Sequence, residues 1–134
     1  MKRSKSKTPG TGTEGRERGA AAVEFGLMAP LLLLLVGGIV EFSHMYNLQI
    51  SVTQAAREAA RTMAVEHDEA AAIAAGIAGA PGLDPASFGF AFASVCGGAP
   101  GNAAVTVTYT AGALTGLLGT NLTLEGEGAM RCGG

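Results

Sequence analysis

The sequence has few charged or aromatic side chains and no tryptophan. Only 15% of its 134 residues are charged and 5% are aromatic, whereas 48% are hydrophobic and 21 residues are glycine. This composition is too apolar and too rich in small residues for an ordinary soluble domain. The sequence also lacks a phosphate-binding loop, the order of a catalytic triad and a metal-spaced cluster of ligands. We therefore expect no enzyme, no cofactor and no metal site.

The charges that are present divide into a basic N-terminus and an acidic remainder. Residues 1–18 contain six basic and two acidic side chains, and the residues after Gly19 contain three basic and nine acidic ones. A basic segment next to an apolar membrane-spanning run is typically retained on the cytoplasmic side of the membrane. Because residues 1–18 lack aromatic and other apolar side chains after Met1, we expect them to be disordered and not to bind nucleic acid.

An apolar run follows over residues 20–40, with Glu24 as its single charge. As a helix it would span about 31 Å, close to the thickness of a hydrocarbon core. A membrane helix tolerates a proline such as Pro30. Small residues typical of a signal-peptidase site precede this run instead of following it, so we expect a retained anchor. The predicted location is the cytoplasmic membrane, crossed once, with a cytoplasmic N-terminus and an extracytoplasmic C-terminal part.

Helical periodicity continues beyond this apolar run. Apolar residues recur at spacings of three and four, which predicts one long helix from about residue 20 to about residue 65. The residues of this stripe are Leu48, Val52, Ala55, Ala59 and Met63. A second helix is predicted over residues 68–78, since acidic residues begin it and a Gly-Ala-Pro-Gly sequence follows it.

From Pro81 onward the pattern is that of strands and turns. Three phenylalanines alternate from Phe88, valine or tyrosine alternates with threonine over residues 105–110, and a third segment extends from Leu122 to about Arg131. Glycine-rich residues 97–101 and 111–113 predict the turns. We expect an α+β fold, in which a small antiparallel sheet of about three strands packs on the long helix.

The predicted organisation has four consecutive parts. They are a basic disordered leader (1–19), a transmembrane helix (20–40), an extracytoplasmic helical stem (41–80) and a small β-rich exported region (81–134). Cys96 and Cys132 are the only cysteines and fall in the exported part. An exported pair most simply forms a disulfide, with two free thiols or a metal site as alternatives.

The start of the apolar run carries a recognisable motif. Residues 18–25 (RGAAAVEF) resemble the processing site of type IV pilins, with Gly19 before the cut and Glu24 as the fifth residue after it. Phe25, Pro30 and the sequence AAREAAR at 55–61 extend this likeness. Residues 18–61 thereby resemble the TadE-like family of minor pilin-like proteins of the tight-adherence (Tad/Flp) pilus, and residues 128–131 resemble the tail of that family.

The resemblance implies a structural subunit for assembly of the pilus or its secretion apparatus. A prepilin peptidase would cut between Gly19 and Ala20, and Glu24 would pair with the new amino group of a neighbouring subunit. Further implied partners are the bilayer, pilin and pilin-like subunits, an inner-membrane assembly platform and a cytoplasmic ATPase. Two alternatives stay open: Glu24 lies at headgroup depth without a partner, or the protein is an unprocessed, membrane-anchored binding module.

Overall fold

The computed structural model of the protein describes residues 14–97, 101–116 and 119–132, with side chains from residue 19 onward. The chain divides into two compact units, residues 1–37 and 38–134. The described ranges contain a long helix, a short helix, one 3-10 turn and a three-stranded antiparallel sheet. The predicted α+β fold class is confirmed.

Helix α1 extends from Glu14 to Glu66 and includes Pro30. The prediction of one long helix with no intervening loop is confirmed, but the helix begins earlier than predicted. The expected disorder of the leader is wrong for residues 14–19, which are helical, while residues 1–13 lie outside the described part of the chain. The physical reason is propagation, because each residue added to an existing helix gains one hydrogen bond without a new nucleation cost.

In the first unit, the large apolar side chains of α1 are exposed. From residue 23 to residue 36 these side chains keep 48% to 74% of their surface accessible. Within the described residues, α1 is the one helix that is long and apolar enough to cross a membrane, judged by length and composition. Exposure of so much apolar surface to water is unfavourable, whereas its contact with hydrocarbon or with an apolar partner is favourable. The helix therefore fits a membrane anchor.

In the second unit, α1 buries one face. Its buried residues recur three or four positions apart, as a stripe on one side of a helix does. They are Glu41, Met45, Val52, Ala55, Ala56, Ala59, Ala60, Met63 and Ala64. The predicted apolar stripe is confirmed, with Leu48 partly buried against the same core. Arg57 and Arg61 lie on the exposed side.

Helix α1 ends where the backbone of His67 adopts a left-handed conformation, with φ of 57°. This conformation cannot continue a right-handed helix. Asp68 then caps helix α2 (Glu69–Ala78), because its carboxylate accepts the N–H of Ala70 at 2.8 Å. The predicted second helix is confirmed to within one residue.

The sheet contains β1 (Phe88–Ser94), β2 (Asn102–Gly112) and β3 (Asn121–Arg131), in the order β1-β2-β3. A 3-10 turn over Pro85–Ser87 precedes β1. Ala111 and Gly112, predicted as part of a turn, instead pair with Leu122 and Asn121 of β3. The strand extends this far because Ala111 is buried against the core, so one more pair adds both ladder contacts and apolar burial.

The face of the sheet that packs on the helices supplies the rest of the core. Inward residues of β2 alternate with more exposed ones: Ala103, Val105, Val107, Tyr109 and Ala111 are buried. The three phenylalanines of β1 are half-buried on the same side and pack against this core. The period-two patterns predicted for these strands are therefore confirmed.

Strand β3 approaches α1 closely because two of its inward residues are glycines. A Cβ at Gly126 would lie 2.9 Å from the carbonyl oxygen of Val52, and a Cβ at Gly128 would overlap the carbonyl oxygen of Ala56. The side-chain amide of Gln49 also donates to the carbonyl oxygen of Glu125 at 2.6 Å. Contacts therefore advance along both elements together, so β3 runs in the same direction as α1.

Candidate functional site

The predicted processing residues lie together near the start of α1. Gly19, Ala20, Glu24 and Phe25 are all helical and exposed, with 74% of Phe25 accessible. Ala20 and Glu24 are four residues apart and therefore lie on the same face of the helix, about one turn from each other. An amino group created at Ala20 would be close to the Glu24 carboxylate of its own chain and open to neighbouring chains.

Glu24 has no hydrogen bond or ion pair within the part of the chain that the structure describes. A carboxylate in an apolar segment is costly unless it reaches the headgroup layer or meets a cation. The Glu24 carboxylate is therefore available to the headgroup layer or to a cation of another molecule.

Packing among the residues that the structure describes does not require a glycine at position 19. A Cβ added at Gly19 would have no neighbour within 4 Å. The same is true of Gly26, which lies further along α1. Glycine does weaken the helix locally, by about 1 kcal/mol relative to alanine. Gly19 is therefore a position at which the helix is locally weakened and at which no packing among the described residues depends on the glycine.

A second acidic residue, Glu41, has the opposite surroundings. Its side chain is fully buried, and both carboxylate oxygens accept hydrogen bonds from the loop between β2 and β3. The amide of Leu114 donates to Oε1 at 2.9 Å, and the amide and hydroxyl of Thr115 donate to Oε2 at 2.8 and 2.7 Å. Three donors on one carboxylate hold this loop against the helix.

The same hydrogen bonds favour the ionised carboxylate. Glu41 lies just beyond the predicted membrane span of residues 20–40. The hydroxyl of Thr115, with the amides of Thr115 and Leu114, holds the pKa of Glu41 below its ordinary value of 4.5, although burial opposes this shift. The imidazole of His44 contributes a further lowering of the Glu41 pKa by electrostatic attraction.

Glu41 is absent from the predicted site residues, yet the sequence contains a signal for it. Spacings of four, three and four separate Glu41, Met45, Leu48 and Val52. Glu41 therefore lies on the same helix face as the apolar stripe. An acidic residue on a buried stripe requires polar partners. Those partners could not be predicted, because Leu114 and Thr115 are more than seventy residues away and carry no motif.

Two segments on which the family resemblance was based meet in the structure. The alanine pairs of residues 55–61 form the buried face of α1, and Gly128 of the predicted tail segment packs directly on Ala56. Small residues on both sides let a strand backbone approach a helix backbone. The repeated alanines and the distant glycine therefore form one packing site between α1 and β3.

Cys96 and Cys132 are placed at disulfide distance, with their Cα atoms 5.6 Å apart. Cys96 follows β1 and Cys132 follows β3, so the bond connects the two edge strands of the sheet. The predicted pairing is thereby present. Among the described residues, no group of three or more His, Cys, Asp or Glu side chains is placed to hold a metal ion.

A helix that fits a membrane anchor and continues into a small sheet-covered unit defines a helix-anchored α+β protein. The family comparison is more specific, because the model described as TadE-like protein matches residues 19–61. This match confirms the TadE-like resemblance and relates this third of the chain to the tight-adherence pilus system. No curated protein and no solved structure matches the chain.

Proposed function

We propose that the protein is a minor pilin-like structural subunit that serves assembly of a tight-adherence pilus or its secretion apparatus. The observation that carries this proposal is the range of the family match, which begins at Gly19 and ends at Arg61. It includes the junction with Glu24 and Phe25, the apolar segment and the alanine-rich face on which β3 packs. The role is one of assembly, and no catalytic step is assigned to the chain.

In this proposal, a prepilin peptidase hydrolyses the peptide bond between Gly19 and Ala20 on the cytoplasmic side of the membrane. The product begins with an ammonium group at Ala20, while the basic leader is released. Glu24 of one subunit then pairs with the ammonium of the next, so that two charges are neutralised in apolar surroundings. The exposed apolar surface of residues 23–36 supplies the contact between neighbouring helices.

The remaining partners follow from the same role. Pilin and pilin-like subunits would contact α1, and an inner-membrane platform with its cytoplasmic ATPase would drive assembly. The orientation required is a cytoplasmic N-terminus and an extracytoplasmic second unit, in agreement with the basic residues that precede the span.

The mature N-terminus tests this proposal directly. Mass spectrometry of the protein from cells that contain the peptidase should show a chain beginning at Ala20. Gly19→Val should retain residues 1–19, because a side chain would stand directly before the bond that is cut. Gly26→Val is the matched control and should be cut normally, since a Cβ at either position would have no neighbour within 4 Å. A wild-type chain that begins at Met1 or Lys2 would contradict processing and favour the unprocessed, membrane-anchored binding module.

A further inference from the structure

The part of α1 that belongs to the second unit (residues 38–66) exposes two large aromatic side chains near its start. Near the point where the chain leaves the apolar segment, Phe42 and Tyr46 are 68% and 62% exposed and lie on one face of α1. At the other end of this part of α1, the exposed residues are mainly charged. Within α1 they include Arg57, Arg61 and Glu66, and Asp68 and Glu69 follow at the start of α2.

A residue distant in sequence joins the apolar end. Leu114 lies in the loop between β2 and β3 and is 60% exposed. Its amide donates to the carboxylate of Glu41, which places Leu114 beside the helical turn that contains Phe42. Chain connectivity alone does not bring Leu114 there, since 73 residues separate it from Glu41.

We propose that Phe42, Tyr46 and Leu114 form a membrane-contacting end of the second unit, which rests in the phospholipid headgroup layer. The physical argument is continuity: the segment that fits a membrane anchor ends at about residue 40, and these side chains follow it immediately. Tyrosine favours the membrane–water interface, where its ring contacts acyl chains and its hydroxyl stays hydrated. Phenylalanine and leucine occur on the apolar faces of segments that lie in the same layer. The inference rests on insertion of α1 in a bilayer and goes beyond the proposed role in pilus assembly.

The loop between β2 and β3, here called the hairpin loop, gives the proposed lipid contact a second point of attachment. Phe42 and Tyr46 belong to the anchor helix, so their contact with lipid alone would not restrain the sheet. Leu114 lies in the loop that joins β2 to β3, and the hydrogen bonds to Glu41 hold this loop beside the turn of α1 that contains Phe42. Lipid contact at both places would restrict tilting of the sheet relative to the membrane surface.

The absence of tryptophan from the chain allows a position-specific test. Single-tryptophan variants Leu114→Trp, Phe42→Trp and Val65→Trp would be incorporated as full chains into phosphatidylethanolamine/phosphatidylglycerol vesicles. These vesicles would contain phospholipid brominated on the acyl chain close to the headgroup. All three positions are exposed, so the substitutions leave the core unchanged. Val65 serves as the matched control, because it is 61% exposed at the opposite end of this part of α1.

We expect bromine to quench tryptophan at positions 42 and 114 several-fold more strongly than at position 65. Equal quenching at 114 and 65 would overturn the proposal. Blue-shifted but unquenched emission at 114 that depends on protein density would also overturn it, and would indicate contact with a second copy of the chain. Loss of quenching at 42 would overturn both the proposal and membrane insertion. No pilus component is present, so failure here is distinguishable from failure of the assembly role.

Discussion

Glu24 and Glu41 are carboxylates of one helix that require different partners. Glu24 is exposed and has no partner among the described residues, whereas Glu41 is buried and accepts three hydrogen bonds from its own chain. A carboxylate that is satisfied internally stabilises the subunit. A carboxylate that is left available in an apolar segment depends on another molecule. The two residues therefore call for different experiments.

Replacement of Glu24 should affect association and leave the subunit folded. We expect Glu24→Ala to be processed and inserted normally but to co-purify poorly with pilin partners, because in the proposed pairing the ammonium of the neighbouring subunit loses its counter-charge. Glu66→Ala is the matched control, since Glu66 is an exposed glutamate at the other end of α1. Undiminished recovery of partners with Glu24→Ala would favour the headgroup position for this side chain.

Replacement of Glu41 should release the hairpin loop. In Glu41→Gln, an amide group that donates hydrogen bonds takes the place of one acceptor oxygen and faces an N–H or hydroxyl donor. We expect faster hydrogen exchange at the amides of Leu114 and Thr115, measured by mass spectrometry on the full chain. Glu127→Gln, on an exposed position of β3, should leave this exchange unchanged. Unaltered exchange in Glu41→Gln would show that the carboxylate does not hold the loop.

The same contact predicts a dependence on pH. The pKa of Glu41 is lower in the folded chain than its ordinary value of 4.5, so its contribution to stability is complete above that value. The contribution is lost as the pH falls through the folded-state pKa. Hydrogen exchange at Leu114 and Thr115, corrected for intrinsic rates, should therefore accelerate at acid pH in the wild type and respond less in Glu41→Gln.

At the scale of elements, the packing of β3 on α1 depends on the absence of a side chain. Gly128→Ala places a Cβ against the carbonyl oxygen of Ala56, and we expect a loss of about 1–3 kcal/mol in the free energy of unfolding. Gly112→Ala is the control, because a Cβ there has no neighbour within 4 Å. The free energy of unfolding of both variants can be measured by urea unfolding of the full chain in detergent, with protease susceptibility as the readout. Equal stability of the two variants would contradict close packing at Gly128.

Much of this architecture was accessible from the sequence, because local patterns determine it. The apolar spacing from Leu48 to Met63 predicted the buried face of α1, and the alternation around Val105 predicted β2. The end of β2 was not predicted, since Ala111-Gly112 carries the composition of a turn. Burial of Ala111 and its pairing with Leu122 determine the outcome, and both contacts are non-local.

The candidate site was predictable only in part, for the same reason. Gly19, Glu24 and Phe25 form a short contiguous motif, which a sequence displays directly. The partners of Glu41 lie in a loop without charged residues or a recognisable motif, and only the folded chain brings them to the helix. The early start of α1 is a further difference: the polar composition of residues 14–19 predicts disorder, but these residues are helical, because helix propagation requires no apolar side chain.

At the scale of the whole molecule, the disulfide restrains the two edges of the sheet. Cys96 and Cys132 are 36 residues apart, and closing a loop of that length contributes at most about 3–4 kcal/mol by chain entropy. We expect reduction to lower the urea midpoint of the wild-type chain. The Cys96→Ser/Cys132→Ser double variant should be less stable and unresponsive to reductant. Full alkylation of both thiols in folded, unreduced protein would contradict the bond.

The position of β3 against α1 has a consequence for biogenesis. The buried face of α1 is covered at Val52 and Ala56 by Gly126 and Gly128, which are synthesised more than seventy residues later. In the proposed orientation the second unit is exported, and a partly translocated chain would leave that alanine-rich face uncovered, because contacts of such sequence separation form only after the intervening chain is available. Maturation of the second unit would therefore wait for β3 to reach the same compartment. A translocation arrest before residue 121 should accordingly yield a membrane-inserted helix that is sensitive to protease beyond residue 41.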